Sequence, residues 1–308
     1  DRDKDRISLP TVRTHSHIGI IPLNEGCLSN CSYCKTKHAR GHLESYRPSD
    51  IERRFKELVE DGVREVWLTS QDTGAYGVDL GTDLPALLER LLKVEGDYRI
   101  RVGMANPQFL PNYLDRLIDV MGDDRVFTFL HVPVQSGSDK VLRDMRRGYT
   151  TARFRDVVRR LKESLPGITI ATDVIVGYPT ESEEDCAATA RLIEDLEIPV
   201  VNVSKFYPRP GTPAADLKPL PTKTVKERTT WLKRRCEAVA ARRNRSLVGT
   251  PQDVLIDEHG KPGTLIGRSP AYVQVILLDA AGRLGDRVTV TPSSSGTYDL
   301  RCGEKDFY

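Results

Sequence analysis

Apolar and polar residues follow two patterns along most of the chain. Between about residues 17 and 247, short runs rich in β-branched and aliphatic residues alternate with stretches whose apolar residues recur at helical spacing. The short runs predict buried strands, and the longer stretches predict amphipathic helices. Six strand–helix units result, and their strands are expected near residues 17–23, 65–69, 99–104, 127–132, 169–176 and 200–206.

Strands that alternate with helices normally form a parallel sheet with the helices packed outside it. Six units are too few for a closed eight-stranded barrel, so the sequence predicts a partial, TIM-like (β/α)6 barrel of the α/β class. In barrels of this kind the chemistry lies on the loops that follow the strands. The loops expected there are the cysteine-containing loop after the first strand and residues 70–77, 135–138 and 177–182.

The pattern changes near Leu247. Beyond it, short β-like runs are separated by turns rich in Gly, Pro and Ser, and these runs lie at residues 253–256, 272–277 and 287–290. Such spacing is typical of a small all-β barrel. We therefore divide the chain into an N-terminal extension (1–16), an α/β core that ends in a helix (17–247) and a β-barrel (248–308).

Composition excludes several classes of protein. A hydrophobic fraction of 39% and a charged fraction of 29% are ordinary for a soluble globular chain. No stretch approaches the ~18 uncharged apolar residues of a membrane span, and the charged N-terminus does not resemble a signal peptide. A cytoplasmic location is therefore expected. Because the chain begins with Asp1 instead of Met, we expect a processed chain, a fragment or a trimmed one.

Six cysteines are too few for a secreted disulfide scaffold of this length. Three of them are scattered, and we interpret these three as structural thiols: Cys186, Cys236 and Cys302. The other three form a Cys-x-x-x-Cys-x-x-Cys cluster: Cys27, Cys31 and Cys34. Such a cluster in a cytoplasmic chain favours metal binding over a disulfide.

Three thiolates can bind three irons of a [4Fe–4S] cube and leave the fourth iron open to another ligand. The alternative is a zinc site that recruits His38 or His42 as its fourth ligand. The strand before the cysteines and the strand–helix units after them favour the cluster, since structural zinc sites rarely lie at the mouth of a barrel.

The cysteine motif, with Tyr33 just before the third cysteine, resembles the signature of radical S-adenosylmethionine (SAM) enzymes. The resemblance implies that the open iron chelates the amino and carboxylate groups of SAM. One electron from the cluster then cleaves SAM to methionine and a 5′-deoxyadenosyl radical. Tyr33 would lie against the adenine; a half-buried loop aromatic is the alternative.

Further segments resemble the methylthiotransferase family, at residues 34–41, 68–77, 131–138, 145–149 and 206–213. Segment 34–41 is most similar to the archaeal and eukaryotic branch, which adds a methylthio group to C2 of N6-threonylcarbamoyladenosine beside the anticodon of certain tRNAs. The β-rich tail resembles the family's RNA-binding TRAM domain. The resemblance therefore implies tRNA as partner, and we expect an electron donor such as a flavodoxin- or ferredoxin-like protein. Alternatives are isopentenyladenosine in tRNA, a ribosomal-protein aspartate, or a zinc-stabilised RNA-binding protein without catalysis.

Two departures from the family pattern matter. Thr180 stands where the fifth-strand loop of the family usually has Gly, so the backbone of that loop is expected to differ. Family members also carry a preceding domain whose three cysteines bind a second [4Fe–4S] cluster. That second cluster is expected only on the domain absent from this sequence. The chain is therefore expected to cleave SAM without necessarily completing methylthiolation.

Polar residues at the strand ends are the candidates for SAM contacts, although turn or capping roles are the alternative for each. Asp173 lies within an apolar strand, where an unpaired carboxylate is costly, so it requires a partner. Arg147 suits the carboxylate of SAM but also suits the carbonyls at a helix end. The full set of candidates is Tyr33, Gln71, Asp72, Gln135, Ser136, Arg147, Asp173 and Gly177.

One segment is strongly basic although the chain as a whole carries only +2. Residues 218–247 contain ten Lys and Arg against two Glu, whereas residues 249–308 are slightly acidic. Phosphate neutralisation by this segment would supply salt-sensitive tRNA affinity, unless the charges only mark a solvated face. The candidate RNA contacts are Lys233, Arg234, Arg235, Arg242, Arg243, Arg268 and Tyr272.

Overall fold

A computed structural model describes Ile7, Leu9, residues 12–278 and residues 282–303, so most of the expected N-terminal extension lies outside the described residues. The strands are β1 (Ile18–Pro22), β2 (Asn24–Glu25), β3 (Glu44–Ser45), β4 (Glu65–Thr69), β5 (Arg99–Val102), β6 (Phe129–His131), β7 (Thr169–Val176), β8 (Val200–Lys205), β9 (Gln252–His259), β10 (Thr264–Arg268), β11 (Gln274–Leu278), β12 (Arg287–Val290), β13 (Ser294–Ser295) and β14 (Asp299–Cys302). The helices are α1 (Thr36–Arg40), α2 (Pro48–Glu60), α3 (Leu84–Leu91), α4 (Leu114–Met121), α5 (Asp139–Asp144), α6 (Thr151–Ser164), α7 (Glu183–Asp195) and α8 (Thr222–Arg245).

Six parallel strands form the partial barrel that the hydrophobic pattern predicts. β1, β4 and β5 make one three-stranded sheet, and β6, β7 and β8 make a second. Two parallel bridges, Ile100 to Val126 and Met104 to His131, join the two sheets between β5 and β6. Within the described ranges β1 and β8 have no outer partner, so the barrel is open between them.

The strands bury their outward faces under the helices. In β4, Val66 and Leu68 are fully buried, whereas the alternate residue Trp67 is only partly covered. Helix α3 begins where the Asp83 carboxylate accepts a hydrogen bond from the Ala86 N–H at 3.0 Å. Such a cap contributes about 1 kcal/mol. This packing presents the carboxyl ends of the strands, and the loops that follow them, at one open face.

The C-terminal strands form a curled six-stranded sheet in the order β12-β9-β10-β11-β14-β13. Its pairs are antiparallel except for β11 with β14. Its core contains Val254, Ile256, Val275, Leu277 and Leu300. The β character beyond residue 247 agrees with the sequence analysis, although β10 and β14 were not predicted. The division of the chain into domains stays a prediction.

The C-terminal sheet packs against the amino-terminal ends of the barrel strands. Leu255 of β9 joins a buried cluster with Phe127 and Phe129. Polar contacts surround it, because the Thr128 N–H donates to the Pro270 carbonyl at 2.8 Å. One end of the barrel is therefore sealed, and the chemistry is left to the opposite end.

Candidate functional site

A two-stranded antiparallel ribbon holds the cysteine loop at the carboxyl end of β1. β2 and β3 pair in antiparallel fashion on either side of residues 26–43, so the loop begins and ends at one point. Gly26 has a φ of +71°, and a Cβ on it would lie 1.9 Å from the His42 carbonyl oxygen, so only Gly fits there. The Cys27 N–H donates to the Gly41 carbonyl at 3.3 Å.

The three thiols of the loop are partly buried. They line a small cavity of about 50 Å³ together with Ser29 and Thr36. The Thr36 N–H donates to Cys34 Sγ at 3.4 Å, and the Thr36 hydroxyl lies 3.1 Å from the same sulfur. Hydrogen bonds to sulfur of this kind stabilise a thiolate.

Ser32 fixes the middle of the loop onto the rest of the barrel. Its hydroxyl donates to the Asp144 carbonyl at 2.8 Å and lies 2.9 Å from the Tyr178 hydroxyl. Its backbone N–H donates to the Met145 carbonyl, and its carbonyl accepts from the Ala214 N–H. The loop is therefore held by three separate parts of the chain.

Arg147 joins the cysteine loop to the third-strand loop. Its Nη1 donates to Cys31 Sγ at 3.0 Å, its Nη2 to Asn106 Oδ1 at 3.2 Å, and its Nε to the Tyr149 hydroxyl at 2.9 Å. The Asn106 amide in turn donates to Ser29 Oγ at 3.0 Å. Sequence reasoning missed Asn106. The signal that could have identified it is its position just after the third barrel strand.

Asp72 is buried and organises the second-strand loop. Its Oδ1 accepts hydrogen bonds from the N–H groups of Gly74 and Asn106, both at 3.0 Å. Burial raises the pKa of Asp72 to about 6, although those N–H groups and the charge of Arg147 oppose the rise. The neighbouring Gln71 has a buried Oε1 without a hydrogen-bond partner among the described residues. Asp72 thus has a clear turn-forming role, and Gln71 is left open to a ligand.

The fourth-strand loop contains a left-handed residue. Gln135 has a φ of +69°, an uncommon conformation for a residue with a side chain. Its backbone is fixed by bonds to the Asp173 carbonyl and the Ile175 N–H. Ser136 accepts a hydrogen bond from the Ser138 N–H at 3.2 Å, which is a turn role. Strain of this kind clusters at functional sites, so Gln135 remains a candidate.

Asp173 has the partners that its apolar strand requires. His131 Nε2 lies 3.0 Å from Asp173 Oδ2, and the Asn202 amide donates to Asp173 Oδ1 at 2.8 Å. Burial alone would raise the pKa of Asp173, but His131 and Asn202 hold it below its ordinary value. Sequence reasoning assigned no role to either partner.

The fifth-strand loop is tied to α8. Gly177 has a φ of +80° and donates its N–H to Glu181 Oε1 at 3.2 Å, and Glu181 pairs with Arg228 at 2.8 Å. Thr180 is not among the residues with positive φ, so a side chain is tolerated there, and its hydroxyl donates to the Asp144 carboxylate. Tyr33 packs near Tyr178 in a small apolar cluster below the cysteine loop.

The expected RNA contacts divide into two groups. Lys233 and Arg234 are exposed and form no ion pair within the described part of the chain. In contrast, Arg235 pairs with Glu194 at 2.7 Å, and Arg242 with Glu197 at 3.3 Å. A third arginine, Arg243, donates to Thr169 Oγ1 at 2.7 Å, and burial lowers its pKa to about 10. Much of the basic charge is therefore used to bind the helix to the barrel.

Arg268 and Tyr272 do not have the placement expected of RNA contacts. Arg268 pairs with Asp257 at 3.0 Å, and its side chain is 21% exposed. The Tyr272 hydroxyl donates to Glu65 Oε1 at 3.0 Å, and its ring contacts Phe127. Both side chains are used where the C-terminal sheet meets the barrel, and their role as RNA contacts stays a prediction.

Two properties of the site fit an iron–sulfur cluster and SAM. The Cys31 thiol accepts a hydrogen bond from the guanidinium of Arg147, which has no carboxylate within ion-pair distance among the described residues. Gln71 keeps an unpartnered oxygen at an adjacent strand end. No three His, Cys, Asp or Glu side chains in the described ranges are placed to hold a single metal ion. A cube differs from a single ion in that each thiolate binds its own iron.

Comparison with known proteins identifies the class. Residues 21–193 match the family model described as the radical SAM superfamily, so the chain belongs to that superfamily. Solved structures with a similar fold include a radical SAM methyltransferase from Kitasatospora setae (18% identity, TM-score 0.53, 64% of this chain and 38% of that chain). Methylornithine synthase is also similar (17% identity, TM-score 0.51, 72% of this chain and 62% of that chain).

Sequence relatives are more specific. A probable threonylcarbamoyladenosine tRNA methylthiotransferase of Pyrococcus horikoshii is 40% identical over 97% of this chain and 70% of its own length. The mouse protein named threonylcarbamoyladenosine tRNA methylthiotransferase is 43% identical over 96% of this chain and 51% of its own length. The chain belongs to this methylthiotransferase family, and it spans about half the length of the curated animal relatives it matches. No helix in the described ranges has the length and apolar character needed to cross a membrane.

Proposed function

We propose that this chain is the catalytic core of an enzyme that adds a methylthio group to C2 of N6-threonylcarbamoyladenosine in tRNA. The observation that carries the proposal is the cysteine loop at the carboxyl ends of the barrel strands, beside an arginine that has no carboxylate partner among the described residues. The choice of tRNA base is supported by relatives of that name at 40–43% identity.

Cys27, Cys31 and Cys34 are proposed as the ligands of a [4Fe–4S] cluster. When bound there, the cluster would supply the electron that cleaves SAM to methionine and a 5′-deoxyadenosyl radical. A second cluster is proposed to bind outside this chain, because the three remaining cysteines are buried on separate elements. Burial raises the pKa of Cys186 to about 11 and that of Cys236 to about 12, as befits inert thiols.

The chain's own residues orient the two cofactors. Arg147 places a positive charge against Cys31, where the thiolates bring negative charge, and Asn106 holds that guanidinium in position. Gln71 and Gln135, which follow the second and the fourth barrel strands, are proposed to bind polar groups of SAM. Asp173 is proposed to accept from a ribose or amino group, because His131 and Asn202 keep it ionised.

The tRNA is proposed to contact the exposed part of α8. Lys233 and Arg234 are the exposed cations of the candidate set that carry no ion pair in the described part of the chain. Neutralising two phosphates there would make binding weaken as salt rises, with a slope of about −0.7 to −0.9 per contact. A flavodoxin- or ferredoxin-like protein is proposed as the electron donor, in a cytoplasmic setting.

The test compares three substrates under anaerobic conditions. The reconstituted chain receives dithionite, SAM, a sulfide source and either tRNA with N6-threonylcarbamoyladenosine, tRNA with isopentenyladenosine, or ribosomal protein. We expect stimulated SAM cleavage, or methylthio product, with the first tRNA alone. Product on isopentenyladenosine or ribosomal protein would contradict the substrate assignment, and zinc binding without a stable cluster would contradict the enzyme class.

A further inference from the structure

The interior of this barrel is accessible to solvent. Inward-facing side chains normally fill a closed barrel. Here Val201 and Val203 of β8 pack outward against the core, whereas the alternate residues Asn202 and Ser204 are exposed. Across the opening, Ile20 of β1 is 55% exposed. The inward faces of the two edge strands therefore line a cleft.

Arg101 lies in this interior above an aromatic floor. It is paired in register with Trp67 of the neighbouring strand. Its guanidinium carbon lies 5.6 Å from the ring centre of Trp67, 5.1 Å from that of Phe129 and 4.9 Å from that of Tyr272. These rings hold the guanidinium by cation–π attraction and leave its hydrogen-bond donors unused.

Arg101 also lacks an anionic partner among the described residues. The buried arginines below it have one each, because Arg99 pairs with Asp253 and Arg268 pairs with Asp257. Arg101 has no ion pair or side-chain hydrogen bond within the described ranges, and its Nε is buried without an acceptor. Glu65, on the neighbouring strand, accepts instead from Trp67 and Tyr272. A partly buried guanidinium with free donors binds a carboxylate well.

The position of Arg101 separates it from the cysteine loop. Arg101 precedes Met104, which pairs with the end of β6, by three residues, or roughly 10 Å of extended strand. The pair of His131 and Asp173 lies at the level of Met104, nearer the carboxyl ends of the strands. An anion at Arg101 is therefore distinct from one bound beside Cys31, where Arg147 is the nearby cation.

We propose that Arg101 binds the carboxylate of the amino-acid arm on the substrate base, and that the barrel interior is the subsite for this arm. The inference rests on the proposed function. The threonylcarbamoyl group ends in a carboxylate and a hydroxyl, whereas an isopentenyl group is apolar. Arg101 thus selects the modified base over adenosine and over an isopentenyl-bearing base, since an unmatched guanidinium would stay unpaired.

The test measures binding of free nucleosides to the reconstituted chain in the presence of SAM. The probes are N6-threonylcarbamoyladenosine, its methyl ester and adenosine, compared by equilibrium dialysis. The parent chain is expected to bind the acid about tenfold or more tightly than the ester. Arg101→Gln is expected to bind the two alike, and Arg101→Lys to keep part of the preference. Arg125→Gln, which removes an arginine that stacks on the ring of Tyr98, serves as the matched control and keeps the full preference.

Equal binding of acid and ester by the parent, or no binding of the acid, would overturn the proposal. So would an undiminished preference in folded Arg101→Gln. The ester comparison needs no variant, so it stays decisive if that variant does not fold. SAM cleavage is measured on the same samples. A preference for the acid over the ester without SAM cleavage would contradict the proposed function. SAM cleavage without that preference would contradict the assignment of Arg101 as the carboxylate-binding residue.

Discussion

Buried arginines have different partners at the two ends of the barrel. At the sealed end, Arg99 is 5% exposed and bonds to the Asp253 carboxylate at 2.5 Å, across the junction with the C-terminal sheet. At the open end, Arg147 bonds to a sulfur, an amide oxygen and a phenol, and no carboxylate lies within ion-pair distance among the described residues. A buried charge is normally paired with its opposite.

This difference separates a structural from a functional charge. The cation at the sealed end is neutralised by the protein, so removing it changes stability. The cation at the open end contacts a negatively charged group of the described chain directly only at Cys31, although Asp72 and Asp173 lie close enough to interact with it electrostatically. Removing it is therefore expected to change chemistry more than folding.

The largest effect is expected from Arg147→Gln. SAM cleavage should fall on the order of 100-fold, because a preorganised donor beside the reacting group is lost. The measurement is 5′-deoxyadenosine formed per cluster, with thermal unfolding as the control. Unchanged cleavage in a folded variant would show that Arg147 is as structural as Arg99.

Tyr272→Ala should reduce stability by about 3 to 5 kcal/mol, because a buried ring at the junction leaves a cavity. Denaturant unfolding measures this loss, and SAM cleavage per folded chain should not change. Tyr272→Phe is the matched control, since it keeps the ring and loses only the bond to Glu65. A drop in cleavage with intact stability would contradict the structural role of the sealed end.

Arg99→Gln should cost about 1 to 2 kcal/mol, less than a fully buried pair, because Asp253 is 43% exposed and regains water. Denaturant unfolding of this variant beside Arg147→Gln compares the two ends directly. A larger stability loss in Arg147→Gln than in Arg99→Gln would reverse the comparison.

The smallest effect is a change in pH dependence. Burial raises the pKa of Glu65, although hydrogen bonds from Trp67 and Tyr272 oppose the rise. A raised pKa in the folded state means that Glu65 contributes stability below its ordinary pKa of about 4.3, which is lost as the pH rises through the folded value. Glu65→Gln should therefore flatten the fall in stability between acid and neutral pH. Parallel curves for parent and variant would show that Glu65 does not titrate in this way.

The open end was largely predictable because its signals are local. The spacing of Cys27, Cys31 and Cys34 and the apolar runs before each loop can be read within a few residues. The sequence showed that Asp173 requires a partner. It did not show that His131 and Asn202 are the partners, because that depends on which residues of the neighbouring strands lie side by side.

The sealed end was not predictable, because it depends on how two sheets dock. In the sequence, Arg268 and Tyr272 have the character of RNA contacts in a β-rich tail. Only the folded chain shows that Arg268 pairs with Asp257 and that Tyr272 bonds to Glu65. β10 and β14 were missed because neither presents an uninterrupted β-rich run: β10 contains Gly267 and ends in Arg268, and β14 alternates charged with apolar residues. Arg101 was missed because nothing in the sequence shows whether a strand arginine has a partner across the barrel.

One measurement tests the central claim, that Cys27, Cys31 and Cys34 bind the cluster that makes this chain a SAM-cleaving enzyme. Iron and sulfide are counted after anaerobic reconstitution, and 5′-deoxyadenosine is assayed with dithionite and SAM, for the parent and for the variant with all three cysteines changed to Ala. The parent should bind about four irons and four sulfides and form product, and the variant should do neither. Equal iron, sulfide and product in the two chains, or zinc in place of iron in the parent, would contradict the account.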